Sequence, residues 1–185
     1  MDPVVFLDRD GVISEELGDG KYISRWEQFR FIAGALEAIR VFTEQKLDIF
    51  IVSNQGGVGR GLLTQKELEQ VTERMLEEIS KSGGEIQGVY YCIHHPEGSC
   101  LCRKPGTALF ERAAEKKKIF WKRSIVVGDA LRDLEAGRKL GCQTVLVLSG
   151  KTKREETADW PFQPDHIAGS LIAAAPWILK KVRSK

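Results

Sequence analysis

Five short, almost uninterrupted apolar runs punctuate this chain: Val4-Val5-Phe6-Leu7, Leu47-Asp48-Ile49-Phe50-Ile51-Val52, Gly88-Val89-Tyr90-Tyr91, Ser124-Ile125-Val126-Val127 and Thr144-Val145-Leu146-Val147-Leu148. Runs this short, rich in β-branched and aromatic residues and lacking a polar residue at every second position, suit strands covered on both faces. Helical patterns fall between them: Ala35-Leu36-Ile39-Phe42, then Leu68-Val71-Met75-Ile79 opened by a Thr64-to-Glu67 capping box, then Leu109-Ala113, then Leu131-Leu134-Leu140. A last helix is expected after Ser170, and a short strand near His166. Strands alternating with helices over short connections give an α/β fold, a right-handed, doubly wound parallel sheet of Rossmann-like type. Such sheets bind ligands beyond the carboxyl ends of their strands.

The 185 residues, 42% of them hydrophobic, suffice for one sizeable core, so a single domain over 1–185 is expected. The apolar stretch Leu171 to Leu179 contains Pro176 and is too short to cross a bilayer. With no secretory leader pattern after Met1, a cytoplasmic protein is the expectation, and no exposed heptad marks an oligomer, so a monomer is expected. The net charge of +2 argues against a nucleic-acid-coating surface, and the tail cations Lys180, Lys181, Arg183 and Lys185 read as a solvated helix end.

Three of the runs end in unusual residues: Asp8-Arg9-Asp10-Gly11, Ser53-Asn54-Gln55-Gly56-Gly57, and Gly128-Asp129 with Asp133 four residues on. A parallel sheet brings these to one edge, where Asp8, Asp10, Asp129 and Asp133 crowd negative charge that a cation would relieve. Oxygen ligands in this number favour Mg²⁺ together with a substrate phosphate. The glycine-rich turn after Ser53 offers backbone N–H groups to an anion, and Lys104 in Arg103-Lys104-Pro105 offers a compact positive charge. No GxxxxGK[ST] loop exists, so the nucleophile must be a side chain or water. Asp8, first off its strand, is the candidate to form an aspartyl-phosphate; Asp10 is the candidate to protonate the leaving oxygen and then activate water. Asp129 and Asp133 also suit a helix start, where the macrodipole favours carboxylates, and for Asp133 that reading carries equal weight.

Cys92, Cys100 and Cys102 cluster around His94 and His95, a CxH…CxC arrangement that fits a closed tetrahedral Zn²⁺ site. Spacing alone leaves His94 and His95 as alternatives. Cys142 is expected to fill the core as a small hydrophobe, and His166 to be structural.

DRDGV, VSNQGGVGRG, RKP and GDALRD, in that order, resemble the four motifs of the haloacid dehalogenase superfamily of phosphatases. FLDRDG, SNQGGVGRG, CIHHPEG and CLCRKP resemble more narrowly the heptose bisphosphate phosphatases, with histidinol-phosphate phosphatases as relatives. The resemblance runs from Val4 to Leu148. It implies Asp8 as nucleophile, Asp10 as acid/base, and Ser53 and Lys104 as phosphate holders. It further implies Mg²⁺ on the Asp8 carboxylate, the Asp10 backbone carbonyl and Asp129, and Zn²⁺ on Cys92, His94, Cys100 and Cys102. Asn54 would orient the loop or substrate and Arg103 would contact the substrate. Ala130 departs from the family, where several relatives have lysine.

The spacing between motifs leaves no room for a large inserted cap domain, so loops 15–25, 56–61 and 92–103 are expected to form the rim, with Lys21, Arg25, Arg60 and Arg103 as candidates for a second phosphate. The resemblance implies a Mg²⁺-dependent phosphatase releasing the 7-phosphate of D-glycero-D-manno-heptose 1,7-bisphosphate, a small phosphorylated sugar. Histidinol phosphate is the alternative substrate. A zinc-bearing nucleic-acid-binding module is the alternative from another class, against which the low net charge and the lack of interleaved aromatic and basic residues weigh.

Overall fold

The computed structural model describes residues 2–18, 20–115 and 117–183, so Lys185 lies outside the described residues. Among the described residues six strands form one sheet: β1 (Val4–Leu7), β2 (Asp48–Asn54), β3 (Gly88–Cys92), β4 (Ile125–Gly128), β5 (Gln143–Val147) and β6 (His166–Ala168), in the order β3-β2-β1-β4-β5-β6. Every pairing is parallel.

The period-2 alternation of the strands sorts their side chains between two cores. Val5, Leu7, Ile49, Ile51, Val127 and Val147 face α1 (Ala35–Glu44), α2 (Gln65–Lys81) and α5 (Leu171–Arg183). Val4, Phe6, Phe50, Val52 and Val126 face α3 (Ala108–Ala114) and, through Ala136, α4 (Leu131–Lys139). Phe6 anchors the second core, stacking on Phe50 at 5.7 Å and meeting Phe110 edge-on at 5.0 Å. Cys142 is buried there as a small apolar filler, as expected. Among the described residues no helix is long and apolar enough to cross a membrane.

The expected capping box opens α2: the Thr64 hydroxyl accepts the Glu67 N–H at 3.2 Å and Glu67 accepts the Thr64 N–H at 2.6 Å. Pro176 lies inside α5, near enough to its start that the missing N–H removes a single bond in the opening turns. At the other end the Arg123 guanidinium donates to the Val182 carbonyl, one of the acceptors a helix terminus leaves open. His166 stacks on Trp177 at 4.9 Å, in keeping with its structural reading.

One strand differs from expectation in a way that matters. β2 continues through Ser53 and Asn54, which pair with Tyr91 and Cys92 of β3 instead of belonging to a turn. The strand order reverses between β1 and β4, and the loops leaving these two neighbours part to open a crevice.

Candidate active site

Asp8 follows β1, Asp129 follows β4 and Asp133 lies in the first turn of α4; all three are buried, with one oxygen from each lying within 4.8 Å of the others. Asp129 is boxed between the backbones of Gly11 and Gly150, where a Cβ on either glycine would strike its carboxylate. Its Oδ2 accepts the Lys151 N–H at 2.8 Å, while Oδ1 is buried with no hydrogen-bond partner. Asp8 Oδ1 accepts the Arg9 N–H at 2.7 Å. Lys104, almost fully buried, sets its ammonium 3.1 Å from Asp8, 2.7 Å from Asp133 and 2.7 Å from the Val52 carbonyl that accepts its proton.

One ammonium does not balance three carboxylates. Burial, with Asp133 and Asp8 close by, pushes the Asp129 carboxyl up to about 8. Burial also raises Asp8, against the pull of Lys104. Burial disfavours the Lys104 charge, yet Asp133 and Asp8 hold its pKa above the ordinary lysine value. A hard divalent cation answers both the surplus charge and the unpartnered Asp129 oxygen, so the residues fit Mg²⁺. Asp133, for which the sequence left a helix-start role equally weighted, has both roles. Its Oδ2 accepts the Ala130 N–H at 3.1 Å, and its other oxygen pairs with Lys104.

Asp10 lines the same cleft, but its carboxylate is turned from the other three. Arg9, fully buried, grips it with Nε at 2.8 Å and Nη2 at 3.0 Å; Ser14 adds a hydroxyl at 2.9 Å and Gln55 an amide at 2.8 Å. Burial alone would raise Asp10; the Arg9 charge and these donors outweigh it and hold the carboxyl below the usual range. Of Asp10, only the backbone carbonyl is then left as a candidate metal ligand.

Ser53, Asn54 and Arg103 also line the cleft. The Asn54 side chain clamps the Lys104 backbone on both sides, accepting its N–H at 3.0 Å and donating to its carbonyl at 3.1 Å. Two expectations for the rim need correction. Lys21 and Arg103 line the cleft, but Arg25 faces a separate hollow beside Trp26 and Arg74, and Arg60 is exposed outside both. The glycine-rich turn 56–61 does not line the cleft; its glycines admit close neighbours instead. A Cβ at Gly59 would strike the backbone of His94 and His95, and one at Gly56 would strike Pro96 and Arg103. The turn is a seat for the Cys/His loop, which explains its composition without a bound anion.

Arg132, Lys151, Glu16 and Tyr22 line the cleft without having been singled out from the sequence. Arg132 sits inside GDALRD, between two aspartates that already marked the spot, and Lys151 follows β5 at the same sheet edge. Burial raises the Glu16 carboxyl, against the pull of nearby Lys151.

The second cluster joins Cys92, His94, Cys100 and Cys102. Sulfur–sulfur separations are 3.2 Å (Cys92–Cys102), 3.6 Å (Cys92–Cys100) and 3.7 Å (Cys100–Cys102), and His94 Nδ1 lies 3.7 Å from Cys92 and 3.1 Å from Cys102. A tetrahedron with Zn–S bonds of about 2.3 Å has edges of about 3.8 Å, so the cluster needs only slight expansion to hold the ion. His95 is turned away, with its Nδ1 accepting the Glu97 N–H at 3.2 Å, which resolves the choice in favour of His94.

Comparison with known proteins places these features in a family context. The HAD-hydrolase-like family model matches residues 101–174. The chain is 36% identical over 169 residues to D-glycero-beta-D-manno-heptose-1,7-bisphosphate 7-phosphatase of Escherichia coli O6:H1 (strain CFT073), covering 85% of this chain and 87% of that one. It is 31% identical to the protein of the same name from Haemophilus influenzae, covering 99% of this chain and all of the relative. Among solved structures, D,D-heptose 1,7-bisphosphate phosphatase from B. bronchiseptica, complexed with magnesium and phosphate, superposes with a TM-score of 0.88 at 28% identity. The match covers 98% of this chain and 99% of that one.

Proposed function

Since the chain belongs to the D-glycero-beta-D-manno-heptose-1,7-bisphosphate 7-phosphatase family of haloacid dehalogenase-like phosphatases, we propose that it hydrolyses the 7-phosphate of a heptose 1,7-bisphosphate through an aspartyl-phosphate on Asp8. The observation that carries this reading is Lys104, held at a sheet edge by Asp8 and Asp133 beside the unpartnered Asp129 oxygen. This is a preorganised field for a phosphoryl group.

In the first half-reaction Asp8 attacks phosphorus, the P–O bond to the sugar breaks, and Asp10 delivers a proton to the departing alkoxide. In the second, Asp10 takes a proton from water, which attacks the phosphorus, breaks the bond to Asp8 and releases phosphate. The depressed Asp10 carboxyl suits the second half. In the first, the incoming phosphate adds negative charge beside it and shifts it toward the protonated form. Lys104 and Ser53 hold the transferring oxygens. Mg²⁺ on Asp8, Asp129 and the Asp10 carbonyl, with Asp133 behind them, would neutralise charge on the phosphoryl group.

Lys21, Arg103 and Arg132 line the cleft in addition to Lys151, which faces Glu16, and this concentration of cations supports a substrate with a second phosphate. Zinc on Cys92, His94, Cys100 and Cys102 is structural, because four protein ligands leave no open position. It braces the loop that presents Arg103 and Lys104. The test is phosphate release measured side by side on heptose 1,7-bisphosphate, fructose 1,6-bisphosphate and histidinol phosphate. The heptose is expected to be the best of the three by kcat/KM, and a preference for histidinol phosphate overturns the substrate assignment.

A further inference from the structure

Gln55 does not line the cleft, yet its side chain touches Arg9, Asp10 and Ser53 at once. It follows β2 directly and is 1% exposed. Its backbone N–H donates to the carbonyl of Cys92 at 2.8 Å, tying it to the end of β3. Its side-chain Nε2 donates to Asp10 Oδ2 at 2.8 Å and to Ser53 Oγ at 3.2 Å, and its Oε1 accepts from Arg9 Nη2 at 3.1 Å. Both amide hydrogens and the carbonyl oxygen are used. Flipping the amide would set its oxygen against a carboxylate and its NH₂ against a guanidinium, so the network fixes its orientation.

These bonds close a ring. Arg9 Nη2 donates to Asp10 Oδ2 at 3.0 Å and to Gln55 Oε1, and Gln55 returns to the same Asp10 oxygen. Without Gln55, Asp10 Oδ2 keeps one donor and Arg9 Nη2 one acceptor. The Asp10 side chain is 26% exposed and borders open cleft, so a loosened carboxylate has space to turn. Arg9 neutralises Asp10, but both belong to the same turn. Gln55 ties this pair to the end of β2 and to the Ser53 hydroxyl, while Tyr91 of β3 lies against the Arg9 guanidinium, 5.7 Å from ring centroid to charge.

We propose that Gln55 is a positioning residue for proton transfer, holding the Asp10 carboxylate where it meets the leaving oxygen and keeping it in register with Ser53. The inference rests on the aspartyl-phosphate reading above and adds a residue with no contact to the substrate. Its signature is selective. A sugar alkoxide leaves poorly without a proton, whereas a nitrophenolate leaves without one, and kcat/KM reports only the steps through the departure of the leaving group. A residue that merely supports the fold reduces both reactions alike.

The experiment measures kcat/KM for 4-nitrophenyl phosphate and for whichever of the three alkyl phosphates above the wild type turns over fastest, in Gln55→Met, Asp10→Asn and the double variant. Gln55→Met, of similar volume but without the hydrogen bonds, is expected to lose at least about 30-fold on the alkyl ester and no more than about threefold on the aryl ester. Retained aryl activity shows that the variant has folded. The double variant is expected to match Asp10→Asn on the alkyl ester within about twofold, because both changes remove the same proton delivery. If Gln55→Met does not fold, Gln55→Asn, which withdraws the amide by one methylene, is expected to show the same selectivity. Equal losses on the two esters, with Asp10→Asn remaining selective, overturn the inference and leave the Asp10 assignment standing. If Asp10→Asn itself shows no selectivity, the assignment of Asp10 as proton donor fails and the inference fails with it.

Discussion

The buried charges around Asp8 set up the sharpest expectations at the scale of the single residue. Asp8→Asn nearly conserves volume but removes both the nucleophile and a charge facing Lys104. Turnover is expected to fall below detection in a phosphate-release assay while the circular dichroism spectrum is unchanged. Retention of near-normal kcat would exclude the covalent route. Asn54→Ala leaves the Lys104 peptide without its two hydrogen bonds, and kcat/KM is expected to fall about tenfold, the equivalent of a loss of ~1.4 kcal/mol. No loss would mean that Lys104 is held by its ammonium contacts alone. Asp8, Asp129 and Lys104 were legible in the sequence because each follows a strand or sits in a motif whose chemistry is local. Arg132 and Lys151 were not, because a cation on a helix start or after a strand carries no mark of which cleft the fold turns it toward. Gln55 is not legible in the sequence because an amide between serine and glycines reads as part of a turn, and its partners at Arg9 and Asp10 are remote in sequence.

At the scale of elements, the site depends on how β2, β3 and the Cys/His loop are stacked. Asn54 pairs in register with Cys92, so the residue that clamps Lys104 lies beside the Cys/His cluster. Gly59 lies directly under the backbone of His94 and His95. Cys102→Ser should lower zinc content and reduce kcat/KM on the bisphosphate by about 10-fold or more, without rescue by added Mg²⁺, as metal analysis alongside the assay would show. Full activity in zinc-free protein would detach the loop from catalysis. The strands and helices themselves were readable from apolar runs and helical periodicity. The two extra residues of β2 were not, because Ser53 and Asn54 have turn-like composition and are held in the sheet by pairing with β3. The role of the glycine-rich turn is hidden in the sequence for a related reason. Glycines that admit a phosphate and glycines that admit another loop look the same until the neighbouring chain is in place.

For the molecule as a whole, the carboxylate cluster makes stability depend on pH and on metal together. With its pKa raised from 3.8 to about 8 by burial and by Asp133 and Asp8, Asp129 binds a proton in the folded state that it has lost in the unfolded chain between about pH 4 and 8. Its contribution to the stability of metal-free protein is complete below the lower value and is lost as pH rises through the upper one. The melting temperature of EDTA-treated protein is therefore expected to fall from pH 5 to pH 8. Added Mg²⁺, which needs the carboxylates ionised, is expected to raise it more at pH 8 than at pH 5. A Mg²⁺ effect that is larger at pH 5 would place the metal elsewhere. The architecture that gathers these groups, with strand order reversing between β1 and β4, follows from the alternation of runs and helices, and the open cleft follows from motifs too close together to admit a large cap. On the proposed function this cleft removes one particular phosphate from a sugar bisphosphate. In ³¹P NMR of heptose 1,7-bisphosphate incubated with the enzyme and Mg²⁺, inorganic phosphate is expected to appear as the 7-phosphate resonance disappears and the 1-phosphate resonance persists; loss of the 1-phosphate, or no change in either, would overturn that function.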